Sequence, residues 1–117
     1  MLAPDVERRL LGLLGLGMRG RLALLGVDRV REAARKGTLR VAVVAADASH
    51  HSREKVERLL AAKRVPTIWI ASAQVLGEVA GRETTAVIGV VDAQLAKGIL
   101  ALVGSTGAVQ KGSWRKG

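Results

Sequence analysis

The chain has 117 residues and a mass of 12.3 kDa, the size of one ordinary domain, and 49% of it is apolar, which excludes an intrinsically disordered chain. It contains no Cys, which excludes disulfides, Cys-ligated zinc, iron–sulfur clusters and thiol catalysis together. The net charge of +9 favours a polyanionic partner, while the only aromatics, Trp69 and Trp114, offer no platform for stacking bases as an RRM or OB-fold does.

The first segment reads as a helix. Pro4 suits the first helical position, Asp5 and Glu7 complement the positive end of the dipole, and Val6, Leu10, Leu13, Leu14 and Gly17 recur at helical spacing. Gly12, Gly15 and Gly17 weaken it intrinsically, which points to close backbone packing on a neighbour. The helix should end near Met18, Arg19 and Gly20, and residues 21–25 should be a short extended piece. Gly26 opens a second helix with Asp28 in its first turn, Arg35 and Lys36 in its last, and Gly37 as its stop. Residues 39–46 are a nearly continuous apolar, β-branched run, the mark of a strand buried on both faces. A polar turn around Asp47, His50 and His51 follows, with Ser49 or Ser52 as the cap of a third helix that turns Val56, Leu59 and Leu60 inward. Pro66 announces a strand over residues 67–71. Ser72 caps a short helix bearing Val75, Leu76 and Val79 on one face, and Gly81 ends it. Residues 85–91 form the last expected strand. Asp92 caps a final helix carrying Leu95, Ile99, Leu102 and Val103. The alternation of helix and strand predicts one sheet with helices on both faces, an α/β/α sandwich of three layers. A single domain is expected over residues 1–104, followed by a mobile basic tail over residues 105–117, where periodicity is lost.

Catalytic and metal chemistry find little support. Gly15, Gly17 and Gly20 match the spacing of a dinucleotide fingerprint, but a helix precedes them and an extended piece follows, the reverse of what pyrophosphate binding requires. His50 and His51 are adjacent and point apart, a poor chelating pair that would need Asp47 and Glu54 as further ligands. Ser49 and Ser52 lack a strained nucleophile elbow, and capping explains them. Asp5, Glu7, Asp28, Asp47 and Asp92 sit at or near expected helix starts, and no pair stands out as an acid/base couple. The expectation is a non-enzymatic protein with no cofactor, no metal and no small-molecule substrate. With acids near its N-terminus and no apolar run of about 18 residues, it should be cytoplasmic and make no use of a membrane.

The charge is unevenly spread. Residues 1–40 carry nine Lys/Arg against four Asp/Glu, residues 41–103 seven against six, and residues 104–117 three against none. Glycine at the start of the second helix leaves backbone N–H groups open to a phosphate, and Asp28, Arg29 and Glu32 share a polar side of its first turns. The plainer account of that segment is a solvated face, with Asp28 pairing Arg31 and Glu32 pairing Lys36.

From Arg9 to Leu102 a set of landmarks falls in order. Leu13, Leu14, Gly15 and Leu16 are followed by Arg19, Gly20, Arg21 and Leu22, then by Gly26 paired with Gly37. Next come the run 43–49, Val65 with Pro66, Leu76, Gly77, Glu78 and Gly81, and the closing run 87–92. In these the chain resembles the ribosomal-protein 7Ae superfamily, whose best-known members bind kink-turn RNA, and most of all its small bacterial YlxQ-type branch. The resemblance implies the same sandwich with a four-stranded mixed sheet. It also implies an RNA site built from the start of the second helix and the loop before the last strand.

The family's motif at that helix is Gly, a variable residue, Asn, Glu, two variable residues, then Lys. Carried onto this chain, Gly26 is kept, Asp28 stands for the Asn, Arg29 for the Glu and Glu32 for the Lys. The second loop becomes Arg82, Glu83 and Thr84. Asp28 retains an acceptor but lacks the amide donor, Arg29 turns an acceptor into a donor fork suited to guanine or phosphate, and Glu32 inverts the charge. Arg21, Arg31, Arg35 and Arg82 supply compensating charge, with Val27 beside them at the helix start. The resemblance thus implies a protein of ribosomal-RNA or other structured-RNA complexes, and of the ribosome itself. Lys111, Trp114, Arg115 and Lys116 of the tail would add a second contact. The altered charges keep open an alternative, a protein–protein interaction module that has lost kink-turn specificity.

Overall fold

The structure, a computed structural model, describes residues 2–104 together with the strand at 109–110. Its elements run α1 (Pro4–Arg19), β1 (Ala23–Leu25), α2 (Val27–Lys36), β2 (Val41–Ala45), α3 (His50–Ala62), β3 (Thr67–Ile70), α4 (Ala73–Val79), β4 (Val87–Val90), α5 (Ala93–Gly104) and β5 (Val109–Gln110). The sheet order is β1-β4-β2-β3-β5. Strands β2 and β3 run parallel, and β4 runs antiparallel to both β1 and β2, so the sheet is mixed as the resemblance implied.

Alternation along the central strand sorts the core into two layers. Val41, Val43 and Ala45 join Ile68, Ile70, Ile88 and Val90 on the face covered by α1, α4 and α5. Ala42, Val44 and Val87 lie on the other face with Val30, Ala33 and Ala34 of α2 and Val56 and Leu60 of α3. All five residues of β2 are buried, which is why its sequence reads as an unbroken apolar run. Two glycines set the distance between layers. A Cβ on Gly17 would lie 2.6 Å from Leu95 Cδ2, so α1 can meet α5 only because that position is bare. A Cβ on Gly89 would lie 2.6 Å from Leu39 Cδ1 and 3.0 Å from Val30 Cγ2, so α2 rests directly on β4.

The helix ends are sealed largely by the residues the sequence offers. Ser49 Oγ accepts from the Ser52 N–H at 3.1 Å, which settles which serine caps α3. Ser72 Oγ accepts from Val75 N–H at 3.1 Å and Asp92 Oδ2 from Leu95 N–H at 2.8 Å. Gly37, at φ 77°, closes α2: its N–H donates to the Ala34 carbonyl at 3.1 Å and the Thr38 N–H to the Ala33 carbonyl at 3.0 Å. Asp47 differs from expectation. Its Oδ1 accepts from the Ala73 N–H at 2.7 Å, so it caps α4, across the sheet end, and not the helix that follows it in sequence.

Two further differences have simple causes. Arg21 takes a left-handed conformation at φ 62°, so the extended piece expected over 21–25 shortens to Ala23–Leu25. Within the expected tail, Val109–Gln110 pair antiparallel with Thr67 and Ile68 of β3, which adds a short fifth strand to the edge of the four expected. Lys111, Trp114, Arg115 and Lys116 lie outside the described residues.

Candidate nucleic-acid interface

Strands β1, β2 and β3 all finish at the end of the sheet where β4 begins, because β4 runs antiparallel to them. The starts of α2, α3 and α4 and the loop before β4 therefore gather at one end of the molecule. Gly26 is stitched to that end: its N–H donates to the Val87 carbonyl at 3.1 Å while its own carbonyl accepts the Val30 N–H at 3.1 Å. Its φ of 98° and ψ of 161° belong to backbone that residues with a Cβ avoid, although nothing lies within 4 Å of the place a Cβ would occupy. The need for glycine is thus conformational. No side chain caps α2, so the N–H groups of its first turn face outward and favour an anion.

Around this helix start the residues divide. Val27 is half-buried against the α2–α3 core layer and anchors the turn. Asp28 and Arg29 are exposed. Arg29, Glu32 and Lys36 line one shallow concavity with Leu24 and Thr38. The Glu32 carboxylate lies 3.2 Å from Lys36 Nζ, so the inverted charge at position 32 is balanced within its own helix. Both ends of that pair are about two-thirds exposed at 63% and 66%, and it contributes little to stability. Arg29 is left as the unpaired cation on that flank among the described residues.

The second piece of the interface is held by α4. Arg82 N–H donates to the Gly77 carbonyl at 2.9 Å and Thr85 N–H to the Ala73 carbonyl at 3.0 Å, which folds residues 82–84 back over the helix. A Cβ on Gly77 would stand 2.7 Å from Thr84 Cα and 2.9 Å from its backbone N and C, so only glycine admits this approach. Arg82, Glu83 and Thr84 are exposed and share a groove with Gln74 and Glu78. These two α4 side chains carried no signal in the sequence, where they read as ordinary solvated helix positions. Thr84 lies three residues before Val87, so at most about 10 Å of extended chain separates the loop from the backbone that Gly26 bonds.

Not every residue expected there belongs to it. Arg21 lies at the opposite end of β1, where Leu22 accepts from the Val91 N–H at the close of β4. Arg31 points to the other side of α2, toward α3, and Asp28 makes no ion pair with it. Arg35 is exposed in the last turn of α2, away from the helix start. Gly15 and Gly17 lie inside α1, and Gly20 caps it, so these glycines serve a helix and its end rather than a strand-to-helix phosphate turn. Among the described residues no group of three or more His, Asp or Glu is placed to hold a metal ion, and no helix is long and apolar enough to cross a membrane.

Two solved structures share this architecture. A Bacillus halodurans protein of unknown function superposes with a TM-score of 0.74 at 30% identity, covering 81% of this chain and 96% of that one. The Giardia lamblia 15.5kD RNA binding protein superposes with a TM-score of 0.75 at 22% identity over 92% of each chain. Curated proteins yield no match. Residues 9–99, which span every element from α1 to the first half of α5, match the ribosomal protein L7Ae/L30e/S12e/Gadd45 family, and the chain belongs to that family.

Proposed function

We propose that the chain is a non-enzymatic RNA-binding protein that docks structured RNA, of kink-turn type, on the surface formed by the α2 start and residues 82–84. The observation that carries this is the stitching of Gly26 to Val87, which sets an uncapped helix start beside a loop that Gly77 holds in place. The first-turn N–H groups of α2 take a backbone phosphate, and the Arg29 fork donates to guanine O6/N7 or to a second phosphate. Asp28, an acceptor only, takes hydrogen bonds from base amino or imino groups. Arg82 closes the other side. Phosphate contacts supply affinity, and Asp28 with Arg29 supplies base reading. The family membership supports the ribosome as the place of action, with ribosomal RNA as the ligand. The chemistry proposed needs no cofactor, and it belongs to a cytoplasmic protein.

The test is fluorescence anisotropy with a kink-turn RNA, the same RNA with its G·A pairs replaced, and a plain duplex, each at several salt concentrations. Tighter binding to the intact kink-turn is expected. Equal and steeply salt-dependent binding to all three would reduce the surface to a generic basic scaffold. A second reading, an acidic protein docked on the same helix start, draws on Arg29, whose charge is opposite to that of the family motif. Absence of binding to any RNA at low salt, with a partner captured from nuclease-treated lysate, would favour it.

A further inference from the structure

Arg31 leans from α2 into a groove of about 520 Å³ that it shares with His51, Glu54, Lys55, Arg58 and Leu59 of α3. Its Nε is the one buried side-chain nitrogen or oxygen among the described residues that has no hydrogen-bond partner. Burying part of a charged group unpaired is costly, and an anion in the groove, attracted to the same guanidinium, offsets part of that cost. The groove itself offers none. Its single carboxylate, Glu54, is taken by Arg58 at 3.3 Å and faces His50 at 3.8 Å on its other side. Lys55 makes no ion pair or hydrogen bond among the described residues. His51, Lys55 and Arg58 follow one another along α3 at intervals of four and three residues, a row rising about 4.5–6 Å per step. Because α2 and α3 start at the same end of the sheet, the groove begins beside the Gly26 surface and leads away from it.

We infer that the α2–α3 groove is a second phosphate track, which takes the sugar–phosphate backbone of an RNA segment continuing past the Gly26 surface; this rests on the RNA-binding function proposed above. The track reads charge and spacing and makes no base contacts. An acidic protein is the less suited occupant, since Leu59 and Ala62 are the only apolar residues among the groove's lining and no aromatic or large aliphatic cluster stands there to receive the anchors that protein interfaces rely on.

The test compares a short RNA confined to the helix-start contact with the same RNA lengthened by a flanking duplex arm. Each is titrated by anisotropy against the wild-type chain, the double variant Lys55→Gln/Arg58→Gln, and Arg29→Ala. Wild type should prefer the lengthened RNA by about tenfold, and the double variant should bind both alike, with the slope of log Kobs against log salt reduced by about two. Arg29→Ala should weaken both RNAs equally. Thermal melts followed by circular dichroism verify folding, which the double variant should retain because both side chains lie on the outer surface of α3. A double variant that keeps the preference for the lengthened RNA overturns the track and leaves the Gly26 surface intact. A wild-type chain that binds neither RNA removes the RNA function, and the track with it. Loss of binding to poly-glutamate, with the RNA preference unchanged, assigns the groove to an acidic protein and likewise overturns the track.

Discussion

Gly77 shows how much can depend on one missing carbon. The backbone of Thr84 occupies the space a Cβ would need, at 2.7–2.9 Å, and backbone cannot step aside as a flexible side chain does. Gly77→Ala should therefore cost about 1–3 kcal/mol in urea-unfolding experiments, through overpacking. It should also weaken kink-turn RNA binding at temperatures where the variant is fully folded, because residues 82–84 are displaced. The motive for this glycine is invisible in the sequence, where it is one of 14 and its partner stands seven residues on. Gly26 and Gly37 were legible, since helix boundaries announce them locally. Arg29 and Arg31 illustrate the intermediate case. Two residues apart on a helix, they must point about 160° apart, but that Arg31 turns toward α3 depends on which helix packs alongside. Local spacing does not contain that.

Among the elements, the helices were legible nearly end to end because apolar periodicity agrees with a start signal in each: Pro4 for α1, Gly26 for α2, and the capping Ser49, Ser72 and Asp92 for the others. The strands were legible where burial is two-sided, as in β2. Strand β5 was not: two residues display no alternation, and its existence depends on the free edge of β3. Asp47 marks another limit. A carboxylate just ahead of α3 looks like a partner for that helix, yet it reaches α4 because parallel β2 and β3 bring their C-terminal ends together. Asp47→Ala should destabilise the fold by about 1 kcal/mol, seen as a lower urea midpoint with an unchanged slope, since it removes the acceptor of the Ala73 N–H at the start of α4, beside the Ser72 cap. Ser49→Ala should cost a similar amount through α3.

At the scale of the whole molecule, the three-layer arrangement and the family were readable from element order and landmark spacing, whereas the division of basic residues between surfaces was not. The sequence displays nine Lys/Arg in its first forty residues. The fold separates Arg29, beside the helix start, from Arg31, in the α2–α3 groove, and leaves Arg21 at the far end of β1. RNA binding should accordingly be strongly electrostatic. Five neutralised phosphates would set a slope of log Kobs against log salt of about −4.5, a loss of about 500-fold between 50 and 200 mM salt. Anisotropy titrations across that range measure it, and a slope near zero would show that charge contributes nothing to docking.

The place of β4 between β1 and β2 has a consequence for the order of assembly during synthesis. Parallel β2 and β3 can pair once residue 70 is out, but β1 has no neighbour until residues 87–90 follow. At ordinary translation speeds that wait lasts on the order of several seconds. Through it Gly26 lacks the Val87 carbonyl that fixes the start of α2. The surface proposed for RNA therefore takes shape only after β4 has emerged, and no ligand can engage it in finished form before most of the domain has been translated.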